Sequence, residues 1–367
     1  MSVSASVIVV GAGVLGATLA HRLAVEGWQV TVIDQHEPGT PLGSSGGASR
    51  LIRFSHGDSV GGALAAWESL ALWRRIEAET GTTLLTETGL AWLVGEDDRW
   101  GRESHAVLQR LGVPVEIVRV AEASSLFPDL RVDDLRYLLY EPRAALIDAA
   151  VALRALIDDA IGRGATFSCA RARRDGAAVI TGDQRLTADH IVWAAGCWTA
   201  EVFPELLRAS VIQQDTYYYG AGSEWSSPPV PAWSDVAAGI TGAGDLAGAG
   251  FKLGLHETGP AVGLDGPRRA DPELEAHARA FLGERFPSLA SAPVVGVEVQ
   301  HTAEVEWVDG IEPVFISGGV RIVRHPDHPS VWILGDGSGS VFKTAPLAAQ
   351  TAAGLLSGRL NPARTRD

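Results

Sequence analysis

Apolar and polar positions follow a recognisable order at the start of the chain. Residues 7–10 are all apolar, residues 17–26 have helical periodicity, and a second apolar run over residues 30–33 ends in Asp34. Short apolar runs are typical of buried strands, whereas apolar residues every three to four positions are typical of a helix that covers a sheet. The pattern predicts a strand, a helix and a second strand, the unit from which parallel sheets are built.

The rest of the chain mixes both periodicities. Helices are predicted over residues 61–79, 99–111, 147–163, 272–286 and 345–356, and strands over residues 89–94, 186–192 and 331–334. Residues 128–142 have no clear period and are predicted to be irregular, while residues 217–320 hold short strand-like runs divided by proline and glycine. The two ends of the chain therefore have a similar predicted order of strand and helix, and the segments between them are rich in predicted strands.

A GxGxxG run at residues 11–16 joins the first predicted strand to the first helix. Gly11 allows the tight turn, Gly13 lets backbone N–H groups approach a pyrophosphate, and Gly16 lets the helix pack closely on the sheet. Asp34 lies where a carboxylate accepts hydrogen bonds from an adenosine ribose, and it would repel a 2′-phosphate. The run predicts a dinucleotide other than NADP, and the strand-rich insertions favour a flavoprotein over a simple dehydrogenase.

Composition and charge narrow the class of protein. The chain has 367 residues, 46% of them hydrophobic, with 42 glycines and a formal net charge of −14, which favours a two-domain globular protein that binds neither nucleic acid nor an anionic membrane. It has two cysteines, Cys169 and Cys197, no basic leader and no apolar run of membrane-spanning length. We expect a cytoplasmic protein without a disulfide framework.

Four blocks of residues together carry a family resemblance. They are residues 11–16 with Asp34, Ser-Arg-Leu-Ile-Arg at 49–53, Gly-Phe-Lys-Leu-Gly-Leu-His at 250–256, and Gly-Ser-Gly-Ser-Val-Phe-Lys at 337–343. With these blocks in this order, the chain resembles the D-amino-acid oxidase superfamily of FAD enzymes, in particular its branch of monomeric sarcosine oxidases and N-methyltryptophan oxidases. The blocks span most of the chain, so the resemblance concerns the whole architecture.

The resemblance implies an α/β fold with two domains. One is a dinucleotide-binding, parallel-sheet FAD domain built from residues 1–84, 144–213 and 325–367. The other is an inserted α+β substrate domain, residues 85–143 and 214–324, built on an antiparallel sheet. The resemblance also implies oxidation of an amino acid or N-alkyl amine to an imine, with hydride transfer to flavin N5 and reduction of O2 to H2O2.

The resemblance assigns roles to basic residues. Lys252 would promote the reaction with oxygen, Arg50 would lie close to the flavin, and Arg53 with Lys343 would bind the substrate carboxylate, for which a guanidinium is well suited. Lys343 would also stabilise negative charge at flavin N1, and His256 would help to bind the substrate. From the residues alone, Lys252 either reaches water or is buried beside a cofactor, and two solvated loop arginines are the less favoured alternative for Arg50 and Arg53.

Further positions are predicted to contact the cofactor or the substrate. Ser49, Ala195 and Gly196 join the glycine run as cofactor contacts, as do Gly339 and Asp336; Asp336 binds a ribityl hydroxyl or caps a turn. Residues 299–302 stand where the resembled branch has a Cys-Met-Tyr-Thr run whose cysteine bonds to the flavin. Since no thiol is expected near this segment, we predict non-covalent FAD, with His301 in the substrate pocket and Gln300 facing away from it.

These inferences leave two alternatives open. A flavin dehydrogenase would pass electrons to an acceptor other than oxygen, and a non-catalytic FAD-binding subunit would oxidise nothing.

A secondary, N-alkyl or cyclic amino acid fits the retained Arg53 and Lys343 best as the substrate. The eleven tryptophans and the three tyrosines at 217–219 hint at an aromatic-walled pocket, with Trp225, Trp233 and Trp307 as its first candidates. We expect a monomer without a metal site.

Overall fold

A computed structural model of the chain describes residues 4–255, 259–317, 319–335 and 341–361. Its helices are α1 Val14–Val25, α2 Val60–Thr80, α3 Arg99–Leu111, α4 Ala149–Gly162, α5 Thr199–Val202, α6 Pro272–Arg285 and α7 Ala345–Leu356. Its first strands are β1 Ser6–Val10, β2 Gln29–Asp34, β3 Ser49–Ile52, β4 Leu85–Glu87, β5 Leu90–Val94, β6 Glu116–Arg119, β7 Tyr137–Glu141, β8 Ala145–Asp148, β9 Thr166–Cys169 and β10 Ala172–Asp175. The others are β11 Ala178–Thr181, β12 Gln184–Leu186, β13 His190–Trp193, β14 Leu207–Tyr219, β15 Ala232–Asp235, β16 Ile240–Ala243, β17 Phe251–Leu255, β18 Val294–Trp307, β19 Phe315–Ser317, β20 Val320–Arg324 and β21 Val331–Leu334.

A seven-stranded sheet forms the first part of the fold. Its order is β19-β20-β21-β13-β1-β2-β9, and the pairs from β21 to β9 are parallel. The predicted strand, helix and strand at the start of the chain are β1, α1 and β2, and α1 packs between the sheet, α4 and α7. This sheet is the dinucleotide-binding architecture that the glycine run indicates.

An eight-stranded, mostly antiparallel sheet forms the second part. Its order is β18-β14-β17-β16-β15-β5-β7-β6, with a single parallel pair, β15 with β5, among the described strands. Trp225, Trp233, Phe251 and Phe286 pack against one another on one side of it. Trp225 and Trp233 are therefore core residues and do not form a pocket wall, because their rings are fully buried in this aromatic cluster.

A small sheet in the order β3-β8-β4 positions the predicted arginines. β3 carries Arg50 and pairs antiparallel with β8, and Arg53 follows directly after β3. The Glu141 carboxylate at the end of β7 is fully buried and accepts hydrogen bonds from the backbone N–H groups of Phe54 and Ser55, both at 2.8 Å. It also accepts one from Trp92 Nε1. Buried donors satisfied in this way hold the segment after β3 against the larger sheet.

Some predicted elements differ from the structure. Residues 128–142 contain β7, which pairs with β5 and β6, so that the segment is not wholly irregular. A strand, β8, precedes α4 and takes up the first residues of the helix predicted over residues 147–163. β19 and β20 join the seven-stranded sheet, so the chain returns to that sheet before residue 325, where the sequence placed the return.

None of the described helices is long and apolar enough to cross a membrane. Within the same residues, no three His, Cys, Asp or Glu side chains form a group that could hold a metal ion.

Candidate active site

The glycine run forms a turn that brings three backbone segments together. Gly11 has a φ of +107°, and a Cβ atom there would lie 2.3 Å from the carbonyl oxygen of Ala194, the residue that directly follows β13. A Cβ atom at Gly16 would lie 1.8 Å from the carbonyl oxygen of Gly11. Larger residues are excluded at both positions because α1 starts in direct contact with β1 and the end of β13.

A cavity of about 690 Å³ opens at the carboxyl ends of the parallel strands. Its walls include the glycine run, Asp34, residues 43–46, residues 195–196 and Gly335. Open parallel sheets bind dinucleotides at this edge, where the positive end of a helix faces the phosphates. The predicted contacts Gly11, Gly13, Asp34, Ala195 and Gly196 all line this cavity.

Backbone N–H groups hold the Asp34 carboxylate in position to bind a ribose. Its Oδ2 accepts a hydrogen bond from the N–H of Ala12 at 2.6 Å, and its Oδ1 accepts one from the N–H of His36 at 2.8 Å. A carboxylate oxygen has a second lone pair, so ribose hydroxyls can still donate to it. The residues present fit an adenine dinucleotide.

Two cations meet at Ser49. Lys252 Nζ donates to the carbonyl oxygen of Ser49 at 2.8 Å and lies 3.0 Å from its Oγ, and Arg50 Nη1 donates to the same carbonyl oxygen at 2.9 Å. The two charged nitrogens are therefore no more than about 5.7 Å apart. At an effective dielectric constant of 20 this separation corresponds to repulsion of about 3 kcal/mol. Burial, with the nearby Arg50, lowers the pKa of Lys252 to about 8.

A carboxylate that the sequence did not single out lies beside these cations. Glu298 on β18 accepts hydrogen bonds on Oε1 from the N–H of Ala48 at 2.7 Å and from the hydroxyl of Tyr218 at 3.0 Å. Its charge raises the pKa values of both Lys252 and Arg50 against the lowering effect of burial. Burial and Glu298 together raise the pKa of the Tyr218 hydroxyl.

A second basic cluster contains Arg53, Lys343 and His56. The Arg53 guanidinium lies over the Trp92 ring, 5.1 Å from its centroid, and burial lowers its pKa. Burial, with the neighbouring Arg53, lowers the pKa of Lys343 to about 7. Burial, with the charges of Lys343 and Arg53, lowers the pKa of His56 to about 3, so its imidazole is neutral at physiological pH. The sequence reasoning missed His56, which lies three residues beyond Arg53.

Gln300 and His301 lie on opposite faces of β18. Gln300 Nε2 donates to the carbonyl oxygen of Gly46 on the Glu298 face, whereas the His301 ring lies 3.4 Å from the carbonyl oxygen of Leu264. Successive side chains of a strand alternate between faces, and Gln300 follows Glu298 by two positions. The structure thus places Gln300 beside Glu298 and the His301 ring on the opposite face, next to Leu264; that His301 contacts the substrate stays a prediction.

The prediction that no thiol lies near residues 299–302 is also wrong. Cys197 Sγ donates to the carbonyl oxygen of His301 at 3.2 Å and lies 3.3 Å from Ser44 Oγ, on the wall of the cavity. The contact was missed because Cys197 and His301 lie far apart in the sequence and come together only in the folded chain. Cys197 and Cys169 are both free thiols.

Three predicted positions cannot be placed. His256, Asp336 and Gly339 lie outside the described residues. Of the tryptophans first considered for a pocket wall, Trp307 lines the dinucleotide cavity. Trp92, which was not among them, lies under Arg53.

A feature of the composition could have identified both basic clusters. The chain contains 28 arginines and only two lysines, Lys252 and Lys343. Each lysine lies in one of the two clusters, beside a buried arginine. In a chain that otherwise uses arginine for positive charge, two retained lysines indicate positions where a compact ammonium with an adjustable pKa is needed.

Comparisons with known proteins identify the family of the chain. The model of the DAO family, described as FAD dependent oxidoreductase, matches residues 6–355. Monomeric sarcosine oxidase from Bacillus sp. (strain B-0618) is 26% identical over 360 residues, 94% of this chain and 90% of that protein. N-methyl-L-tryptophan oxidase from Yersinia pestis (strain Pestoides F) is 25% identical over 62% of this chain and 63% of that protein.

Solved structures share the fold. L-proline dehydrogenase from P. horikoshii has a TM-score of 0.83 at 18% identity, covering 98% of this chain and 94% of its own. Iminodiacetate oxidase from Chelativorans sp. BNC1 has a TM-score of 0.77 at 22% identity, covering 96% and 95%.

A dinucleotide cavity at the carboxyl ends of a parallel sheet, together with the family match over most of the chain, indicates an FAD-binding oxidoreductase. The chain belongs to the DAO family of FAD dependent oxidoreductases.

Proposed function

We propose that this enzyme oxidises the C–N bond of a small amine that carries a carboxylate, such as a secondary, N-alkyl or cyclic amino acid. The product is an imine, and O2 takes up two electrons and two protons to become H2O2. The observation that carries the proposal is the Arg53–Lys343 cluster. Two neighbouring positive charges, each destabilised by burial, are both stabilised when a substrate carboxylate binds between them. The sarcosine oxidase relative supports an amino-acid substrate.

Each side chain of the cluster contributes differently to binding of the substrate. Arg53 offers two coplanar donors for parallel hydrogen bonds to the carboxylate. The Trp92 ring lies beneath the guanidinium and supports it from that side. Lys343 adds a compact charge from the segment that leads into α7. His56, neutral and three residues after Arg53, can hydrogen-bond to the substrate without attracting a second anion.

FAD supplies the two-electron acceptor, to which the substrate carbon transfers a hydride. The chain's own residues orient the amine and exclude water. No general base is needed if the amine binds deprotonated, and the neighbouring cations Arg53 and Lys343 favour that form. Lys252 places positive charge where oxygen would gain negative charge, and electrostatic stabilisation of this kind is the physical requirement for rapid oxygen reduction.

Anaerobic mixing tests the proposal. The purified enzyme is mixed with a panel of N-methyl, cyclic and primary amino acids while the flavin absorbance is recorded. We expect rapid bleaching with at least one secondary or cyclic amino acid. A flavin that no member of the panel bleaches would instead favour the non-catalytic FAD-binding subunit.

Oxygen as the electron acceptor is tested separately. The L-proline dehydrogenase neighbour has the same fold, so that the fold itself does not select the acceptor. We expect one H2O2 per O2 consumed, and we expect Lys252→Met to slow reoxidation far more than reduction. Equal slowing of both half-reactions would contradict the role of Lys252, and slow reoxidation of the wild type would favour the dehydrogenase.

We propose that FAD is bound non-covalently, although Cys197 lies on the cavity wall. Burial raises the pKa of the Cys197 thiol, and the thiol donates its proton to a backbone carbonyl, so that it is poorly suited to act as a nucleophile. Acid precipitation should release the yellow colour into the supernatant. Colour retained in the pellet of the wild type but released from Cys197→Ser would show a covalent bond at this residue.

A further inference from the structure

Ser49 brings two like charges together without providing a countercharge. Lys252 and Arg50 donate to one carbonyl oxygen, which is a dipole and carries no net charge. A lysine in this position loses its proton more readily than an exposed lysine, because burial and the adjacent guanidinium both favour the neutral amine. A neutral amine cannot stabilise the negative charge that oxygen gains. The proposed role of Lys252 therefore requires a nearby anion.

The groups that face Lys252 come from three elements. Arg50 lies on β3, Tyr218 lies on β14 with its ring centroid 6.0 Å from Lys252 Nζ, and Glu298 lies on β18. The Tyr218 hydroxyl remains protonated, because burial and Glu298 raise its pKa. Among these groups, Glu298 is the one that carries a negative charge.

The Glu298 carboxylate is fixed in place by the surrounding backbone. Oε1 accepts two hydrogen bonds, from Ala48 N and from the Tyr218 hydroxyl. Oε2 is buried and has no hydrogen-bond partner among the described residues. A Cβ atom at Gly47, where φ is +97°, would lie 2.4 Å from Oε2, so the chain passes the carboxylate with a glycine. A half-satisfied buried carboxylate is costly, which indicates that its charge serves the cations beside it.

We propose that Glu298 is a positioning residue that keeps Lys252 cationic and thereby sets the upper pH limit for the reaction of the reduced enzyme with oxygen. The inference rests on the proposed role of Lys252. It predicts that loss of the Glu298 charge leaves the Ser49 contacts in place but lowers the pH at which Lys252 loses its proton. Opposite charges at close range shift a pKa by about 1–3 units.

The two-lysine composition makes the test direct. Protein that incorporates lysine labelled with ¹³C at Cε gives two lysine signals, which Lys252→Met assigns. Both signals are titrated by NMR in wild type and in Glu298→Gln, with FAD bound and without substrate. We expect the Lys252 midpoint, about 8 in the wild type, to fall by at least about one unit. The Lys343 midpoint should not move, because Lys343 senses burial and Arg53.

Two further variants separate charge from folding. Glu304→Gln removes an exposed carboxylate from the same strand and should leave both midpoints unchanged. Glu298→Asp keeps the charge but shortens the side chain by one methylene, which moves the charge away from Lys252. It should therefore lower the Lys252 midpoint less than Glu298→Gln does. If Glu298→Gln does not fold, Glu298→Ala removes the charge in its place. An unchanged Lys252 midpoint in the folded variant that lacks the charge overturns the proposal.

The oxygen reaction supplies the functional link without an amine substrate. Enzyme reduced with dithionite is mixed with oxygen across the pH range. The rate should fall as pH rises through the Lys252 midpoint, and the inflection should move to lower pH in Glu298→Gln by the same interval as the NMR midpoint. An inflection that stays in place while the midpoint moves contradicts the link to oxygen. Neither measurement depends on which amine is the substrate, so failure of the amine panel is a distinct result.

Discussion

At the scale of single residues, the geometry of Arg53 predicts that lysine is a poor replacement for it in the proposed carboxylate site. The planar guanidinium lies over the Trp92 ring and offers two parallel donors, whereas an ammonium offers a point charge. We expect Arg53→Lys to lower kcat/KM for amino-acid substrates by about 10- to 100-fold, the equivalent of one or two charge-assisted hydrogen bonds. Steady-state kinetics check this result, with the exposed Arg99→Lys as a control. A change of less than twofold would contradict the assigned role.

The pKa of Lys343 predicts how carboxylate binding depends on pH. Burial and Arg53 hold this pKa at about 7, so Lys343 is cationic below that pH and loses its charge above it. A carboxylate without an amine, such as propionate, should therefore bind more weakly as pH rises through 7, and its binding should raise the Lys343 pKa. Flavin absorbance changes measure the affinity. Lys343→Met should bind propionate weakly at every pH, and a pH dependence equal to that of the wild type would contradict the assignment.

At the scale of elements, one buried side chain joins β7 to the segment that carries Arg53. Glu141 accepts hydrogen bonds from Phe54 N, Ser55 N and Trp92 Nε1, all at 2.8 Å. In Glu141→Gln an amide NH2 group replaces one acceptor and faces a buried N–H donor. We expect a loss of roughly 2–3 kcal/mol in the free energy of unfolding, together with weaker propionate binding. Urea unfolding measures the stability, and the exposed Glu116→Gln on β6 should be nearly neutral.

The contact between α1 and β1 predicts the effect of a single methyl group. Gly16→Ala places a Cβ atom against the carbonyl oxygen of Gly11, so the start of α1 must move away from the strand. We expect about 1–3 kcal/mol of destabilisation and loss of FAD, measured as flavin absorbance per protein. Gly61→Ala, in a helix with no atom within 4 Å of the new methyl group, should retain FAD. Full retention of FAD by Gly16→Ala would contradict the close packing.

Local elements were predictable from the sequence, whereas the pairing of distant strands was not. The first strand, helix and strand depend on periodicity and on glycines that lie within 30 residues of one another. β7 was missed because its partners β5 and β6 lie far from it in sequence. Glu298 was missed because the face of a strand depends on register, which a single apolar pattern does not determine. Contacts such as Cys197 with His301 arise only when the two sheets meet.

At the scale of the whole molecule, two long strands connect the cofactor cavity to the basic cluster at Lys252. β14 and β18 pair along their full lengths. At one end Leu207, Val305 and Trp307 line the cavity, and towards the other Tyr218 and Glu298 face Lys252. Strands of this length span roughly 45 Å. The same pair thus belongs to both parts of the fold.

This continuity predicts that FAD stabilises the molecule as one unit. Since the cavity and the antiparallel sheet share β14 and β18, FAD should raise a single Tm, by an amount that grows with FAD concentration. Far-UV circular dichroism and tryptophan emission should report the same transition. Two separate transitions, of which FAD moves only one, would contradict the shared architecture.

The monomeric state and the cytoplasmic location stay predictions. Light scattering coupled to size-exclusion chromatography measures the oligomeric state.

The central claim is that Arg53 and Lys343 select a substrate by its carboxylate, and one comparison tests it most directly. The amino acid that bleaches the flavin fastest without oxygen is compared with the amine that lacks only its carboxylate, for example proline with pyrrolidine. Loss of two charge-assisted hydrogen bonds predicts bleaching at least about 100-fold slower for the amine, with a much smaller difference in Arg53→Met. Equal bleaching of the acid and the amine by the wild-type enzyme would contradict the claim.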